Sequence, residues 1–191
     1  MGKVIYSMMA SLDGFIEGPD GRFDWAEPDE ELHRHFNELE RHAGLHLYGR
    51  RLYELMNEFW PTADVNPAAP DYIREFARCW QNVPNVVFSR TLHSPIGSTR
   101  VLSSVTPSEI ARLREESDGD LTLGGASIAA EFTRLGLVDE YWVYLCPIIV
   151  GAGKPMFSGV DTALRLEVLA TQTFGGGVTQ IRYRPAPQPQ G

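Results

Sequence analysis

Sulfur, positive charge and long apolar runs are all scarce in this chain, and each shortage removes a class of protein. Only Cys79 and Cys146 occur among 191 residues. They are far apart and form no CxxC, which argues against a disulfide framework or a cysteine-held metal and fits reduced thiols in a reducing compartment. Lys and Arg number 17 against 25 Asp and Glu, for a formal charge of −8. A nucleic-acid backbone needs a basic surface, so nucleic acid is not an expected partner and any phosphate site has to be local. No stretch approaches the length that spans a bilayer, and the opening KVIYSMM is too short for a secretory h-region. A soluble, cytoplasmic protein is expected.

Several motifs are missing as well. The five histidines form no HExxH; His33 and His35 fall on different helix faces, and His35 and His42, two turns apart, read as solvated, so no metal is expected. No GxGxxG follows a strand, which excludes the common dinucleotide fold. GAGKP at 151–155 is not a Walker A loop, because Ile148 stands where its first glycine belongs and Pro155 replaces the serine or threonine.

What remains is ordinary globular composition, 43% hydrophobic and 22% charged, with no internal repeat or linker. One domain over 1–184 is expected, followed by a proline-rich, disordered tail over 185–191. Strand patterns cover Val4–Met8, Leu45–Tyr48, Asn85–Ser89, Arg100–Leu102, Leu121–Leu123, Glu140–Ile149, Leu164–Thr173 and Val178–Tyr183. Helical patterns lie between the early ones. Leu32, Phe36 and Leu39 mark a helix after Pro28, Thr106-Pro-Ser-Glu109 is a capping box before Ile110 and Leu113, and helices follow Arg51 and span Asp71–Trp80. Ser127–Leu135 reads as a short helix with Ile128, Phe132 and Leu135 inward. Alternating strands and helices imply a parallel sheet covered on both faces. The last three strands have no helix between them, so the class is α/β with a mixed sheet and an antiparallel edge.

Leu121–Phe132 reads LTLGGASIAAEF, with two glycines at the seam of strand and helix. Gly124 and Gly125 can simply form a tight turn. They can equally leave backbone amides open to a phosphate at the positive end of a helix. Arg50 and Arg51 in YGRRLYE and Arg90 in SRT also follow strands. Each alone reads as a solvated charge, but three at one sheet edge suit an adenine dinucleotide that carries a 2′-phosphate.

SLDGFIEG, LYGRRLYE, VVFSRT, LTLGGASI and PIIVGAGKPMF go with the first, second, third, fifth and sixth of these strands, in this order. On these motifs the chain resembles the dihydrofolate reductase-like superfamily, and most of all the reductase domain of the bifunctional riboflavin-biosynthesis deaminase-reductase and its stand-alone relatives. The resemblance spans Lys3–Arg184 and implies NADPH-dependent hydride transfer to a pyrimidine or pteridine-like compound. It implies that Gly49, Arg50 and Arg51 hold phosphates, that Ser89 and Arg90 face the 2′-phosphate, and that Gly124, Gly125, Ala126 and Ser127 wrap the pyrophosphate across a cis Gly124–Gly125 peptide. Ala10 would lie near the nicotinamide. Asp13 of SLDG would meet the substrate, although Asp-Gly is also a common turn.

Trp25-x-x-Pro28-x-Glu30 echoes the dihydrofolate reductase pattern whose acid bonds the pterin, but a first-turn glutamate at a helix dipole is the preferred reading of Glu30. The deaminase signatures H-x-E and P-C-x-x-C do not occur. Dihydrofolate reductase itself and a non-catalytic nucleotide-binding protein of the same fold stand as alternatives. A homodimer through the C-terminal strands is expected from their apolar content and from the resemblance.

Overall fold

The computed structural model describes residues 2–187. In chain order the elements are β1 (Val4–Ser11), β2 (Phe15–Glu17), a 3-10 turn (Asp24–Ala26), α1 (Glu30–Arg41), β3 (Ala43–Gly49), α2 (Arg50–Ala63), α3 (Asp71–Asn82), β4 (Asn85–Phe88), β5 (Arg100–Leu102), α4 (Pro107–Glu116), β6 (Asp120–Gly124), α5 (Ala126–Arg134), β7 (Glu140–Cys146), β8 (Lys154–Pro155), β9 (Leu166–Thr173) and β10 (Thr179–Pro185).

Eight strands form one sheet in the order β5-β4-β3-β6-β1-β7-β10-β9. Pairing is parallel from β5 to β7 and antiparallel from β7 through β10 to β9. This is the α/β class with an antiparallel C-terminal edge that the alternation of patterns predicts. A second, two-stranded sheet pairs β2 with β8; at three and two residues these strands are too short to show any alternation.

Strand alternation divides the core between the two faces. Tyr6, Leu47, Phe88 and Leu123 point toward Ile110 and Leu113 of α4 and Ile128 and Phe132 of α5. On the other face, Ile5, Trp142 and Tyr144 meet Leu32, Phe36 and Leu39 of α1, while Tyr48 and Val87 meet Tyr53, Leu52 and Met56 of α2. Trp80 of α3 donates its indole N–H to Tyr48 Oη at 3.2 Å.

Three expectations change here. Leu135 is 39% exposed, because α5 ends at Arg134 and the residue serves as its C-cap, off the buried face. His35 is half-buried and lies 3.0 Å from Tyr144 Oη rather than being solvated; α1 turns it toward β7. The disordered tail does not start at Pro185, which pairs with Leu166 in β9, while the Ala186 amide donates to the Arg165 carbonyl at 2.8 Å. Positions 188–191 of that tail lie outside the described residues.

Candidate active site

The site follows from the topology. β3 and β6 are parallel neighbours, with Tyr48 opposite Gly124. Their connections leave in opposite directions, through α2 and α3 to β4 and through α5 to β7. A crevice opens where two adjacent strands send their crossovers apart. Here it is a cleft of about 590 Å³, within the range of roughly 300–1,000 Å³ usual for ligand sites.

Two helices begin at this cleft. Gly49 is the N-cap of α2 and Gly125 the N-cap of α5; neither supplies a side-chain cap, and neither helix has an acidic residue in its first turn. Gly49, Arg50 and Arg51 line one wall and Gly125, Ala126 and Ser127 the other. A Cβ on Gly125 would lie only 3.7 Å from the Gly49 backbone nitrogen, so the two amide-rich ends are neighbours. Unpartnered N–H groups at the positive ends of two dipoles make a strong anion cradle.

The two glycines differ. A Cβ on Gly124 would lie 2.4 Å from Leu52 Cδ2 and 3.2 Å from Tyr48 Cδ1, so this position is set by packing against α2. Gly125 has φ +105°, a conformation that side chains disfavour. The expected cis peptide between them is overturned, since no cis bond occurs among the described residues. β6 keeps its register with β3 through Gly124, and the backbone turns at Gly125 instead.

Other expected site residues stand in different relations to the cleft. Ala10 is 1% exposed and packed in the core; Met8, on the same face of β1, lines the cleft in its place. Ser89 Oγ accepts the Thr91 and Leu92 amides at 3.1 and 3.0 Å, shaping the turn after β4. Arg90 is exposed, outside the cleft lining, and has no ion pair among the described residues. Glu30 takes both Nε and Nη2 of Arg34 on its Oε1, at 2.9 and 2.8 Å, on the open first turn of α1.

Asp13 is exposed and does not line the cleft. Its Oδ1 accepts Ser11 Oγ–H at 2.7 Å and the Val150 amide at 3.1 Å, and its Oδ2 accepts the Gly151 amide at 2.7 Å. The Ser11 bond foremost, with the two amides, pulls its carboxyl down to about 2. Asp13 therefore ties the loop after β1 to the loop after β7. Leu12 N–H to Ile148 O at 2.8 Å and Met156 N–H to Gly14 O at 2.9 Å reinforce the junction. The result is a flap built from β2 and β8 beside the cleft.

The flap brings in residues that the sequence did not announce. Ile16, Glu17 and Lys154 line the cleft, joined by Phe23, Leu55, Glu58 and Glu131. Lys154 belongs to the motif PIIVGAGKPMF, which marks the segment but, once a phosphate loop is excluded there, assigns its lysine no role. Only its pairing with Glu17 across β2 and β8 places it at the site.

Known proteins share this fold and sequence pattern. The RibD C-terminal domain family matches residues 2–180. The uncharacterized protein YyaP of Bacillus subtilis is 32% identical over 182 residues, covering 95% of this chain and 94% of its own. Among solved structures, a candidate riboflavin biosynthesis protein from Shewanella sp. PV-4 superposes with TM-score 0.74 at 21% identity, over 98% of this chain and all of the other. A diaminohydroxyphosphoribosylaminopyrimidine deaminase/5-amino-6-(5-phosphoribosylamino)uracil reductase from Thermotoga maritima gives 0.67 at 20% identity, over 97% of this chain and 57% of the other. Dihydrofolate reductase from Enterococcus faecalis, complexed with NADP(H), gives 0.63 at 15% identity over 97% and 98%. At these identities the structures establish the dihydrofolate reductase-like fold. With the family match over almost its whole length, the chain belongs to the RibD C-terminal domain family.

Proposed function

We propose that this chain is an NADPH-dependent oxidoreductase that reduces a small pyrimidine or pteridine-like compound. The observation that carries the reading is the convergence of two helix N-termini, α2 and α5, both without side-chain caps or first-turn acids, on one cleft. The pyrophosphate would lie across Gly49–Arg51 and Gly125–Ser127, where a Cβ on Gly125 would intrude. Ser89 and Arg90, beyond Phe88 in the cleft wall, are proposed to face the 2′-phosphate. Relatives named as a uracil reductase and as an NADP(H)-complexed dihydrofolate reductase support the same chemistry.

Bound there, NADPH supplies the hydride. The chain's own part is to place the reacting ring against apolar residues of the cleft lining, among them Met8, Ile16, Phe23 and Leu55. A carboxyl held near 2 carries no proton at neutral pH, so Asp13 acts by positioning the flap. Glu30 is engaged by Arg34. Water is then the proposed proton source for the heteroatom of the reduced C=N or C=O bond. Titration of the purified protein with NADPH and NADH, followed by NADPH oxidation with 5-amino-6-(5-phosphoribosylamino)uracil and with dihydrofolate, tests the reading. Tighter NADPH binding with turnover of the uracil is expected; absence of NADPH binding removes the proposal, and turnover of dihydrofolate alone shifts the substrate.

We also propose a cytoplasmic homodimer formed through β9 and β10. The sheet ends on β9, whose Leu166, Val168 and Leu169 are 37%, 60% and 40% exposed. Beside it runs an apolar groove of about 390 Å³ between Val143, Phe157, Leu164 and Tyr183. An apolar edge of this kind calls for cover. Light scattering is expected to give twice the chain mass; a monomer at micromolar concentration removes the dimer.

A further inference from the structure

The cleft carries three cations and four carboxylates, an unexpected balance for a polyanion site. Every cation in it already has an internal partner. Arg50 Nη1 lies 3.3 Å from Glu54 Oε1 within α2. Arg51 Nη2 lies 3.0 Å from Glu17 Oε2, and Lys154 Nζ lies 3.8 Å from Glu17 Oε1. The Arg50 pair is a helix-surface contact between half-exposed groups. The Glu17 pair is different, because it joins the flap to the first turn of α2, both residues lining the cleft. Glu17 is the more enclosed partner, with a side chain 16% exposed against 65% for Arg51. Its backbone is held by β8, and a Cβ on Gly153 would lie 1.9 Å from the Glu17 carbonyl oxygen.

The geometry points to Glu17 as the built-in counter-ion of the anion site: its carboxylate holds, in the empty cleft, the Arg51 guanidinium that a phosphate takes when the ligand enters. Binding is then an exchange of anions. The incoming phosphate displaces Glu17 from Arg51, while Lys154 stays with Glu17 and keeps the released carboxylate from facing the ligand uncompensated. Among the described residues, the Arg51–Glu17 pair is the one ion pair that ties the flap to α2, so the exchange also frees the flap edge at Glu17, next to Ile16 in the cleft lining. The affinity of the site is set below what its two helix ends and two arginines would give alone, and Glu17 sets the difference. This inference rests on the proposed nucleotide reading of the cleft for its natural ligand, but its physical content is the competition for Arg51.

The test is calorimetric titration of wild type and Glu17→Gln with inorganic pyrophosphate and, separately, with NADPH, at low and raised ionic strength. A part-exposed ion pair of this kind contributes modestly, so Glu17→Gln is expected to bind pyrophosphate roughly three- to tenfold more tightly. That gain should shrink as salt screens the competing charges and should vanish in an Arg51→Gln background. If Glu17→Gln does not fold, Glu17→Asp retains the charge on a side chain too short to hold Arg51 in the same way and is expected to shift affinity in the same direction. Unchanged or weaker pyrophosphate binding by a folded Glu17 variant overturns the proposal, as does an equal gain with Arg51 removed. Tighter pyrophosphate binding with no NADPH binding at all keeps the counter-ion role and removes the cofactor reading. NADPH binding that ignores Glu17 does the reverse.

Discussion

Of the five α-helices among the described residues, four begin in two contrasting ways, while α3 opens on Pro70 without a side-chain cap but with Asp71 in its first turn. α1 opens with Asp29 accepting the Leu32 amide at 2.9 Å, and α4 with Thr106 accepting the Glu109 amide at 3.3 Å; both have glutamate in the first turn. α2 and α5 open with glycine, no side-chain cap and no first-turn acid. A side-chain cap and a first-turn carboxylate each stabilise a helix by about 1 kcal/mol or less. Leaving both out at two neighbouring helix starts forgoes that stabilisation at the place where the amides face a cleft. The contrast separates the helix ends that hold the fold from those free to hold a ligand.

The largest expected effect breaks the contrast at its open end. Gly125→Ala puts a methyl group 3.7 Å from the Gly49 nitrogen and forces alanine to φ +105°. NADPH affinity is expected to fall roughly tenfold or more, accompanied by a stability loss of about 1–3 kcal/mol from the backbone conformation. Fluorescence titration and thermal unfolding measure the two. An unchanged affinity in the folded variant would reduce the glycine to a turn residue.

A paired substitution sharpens the contrast. Thr106→Ala should destabilise by about 1 kcal/mol and leave NADPH affinity untouched. Ser127→Asp, which gives α5 the first-turn acid it lacks, should stabilise by roughly 0.3–1 kcal/mol while weakening NADPH binding. The opposite signs distinguish a structural helix start from a binding one, and denaturant melts with parallel titrations read both. Parallel changes in stability and affinity would show that the two kinds of helix start do not differ in use.

The smallest effect concerns acid. His33 and His35 both sit on α1, and burial foremost pushes each below its ordinary 6.5. For His33 the Asn37 contact at 3.1 Å opposes this, while for His35 the nearby Arg182 charge adds to it. The unfolded chain therefore takes up protons first, so the stabilisation is present above about pH 6.5 and is lost as pH falls through the lower folded values. Melting temperature should decline between about pH 7 and 5. His35→Phe, which keeps the contact with Phe174, should flatten part of that decline. A slope unchanged by His35→Phe would assign the acid sensitivity elsewhere.

Much of the fold was legible because long elements repeat their period. α1 shows Leu32, Phe36 and Leu39 on one face, α4 carries its capping box, and the eight strands of the main sheet were each marked by an apolar run. Glycine and arginine motifs located α2 and α5 at the cleft. The flap was not legible. β2 and β8 are too short to show a period, and Glu17, Lys154 and Arg51 meet only through pairing between distant segments. The carboxylate of SLDG was visible in the sequence, but its use was not, since the amides it binds lie at 150 and 151.

The sequence by itself determined the α/β class, the order of the helices and the family, because local propensity, capping chemistry and motif order are properties of neighbouring residues. Tertiary structure decided which glycine turns the chain, which arginine pairs with the flap carboxylate Glu17, and that Asp13 joins two loops. Those outcomes depend on strand register and on crossovers that leave β3 and β6 in opposite directions. They bring into contact residues far apart in the chain, such as Arg51 with Glu17 and Asp13 with the amides of Val150 and Gly151, a relation for which no local pattern exists.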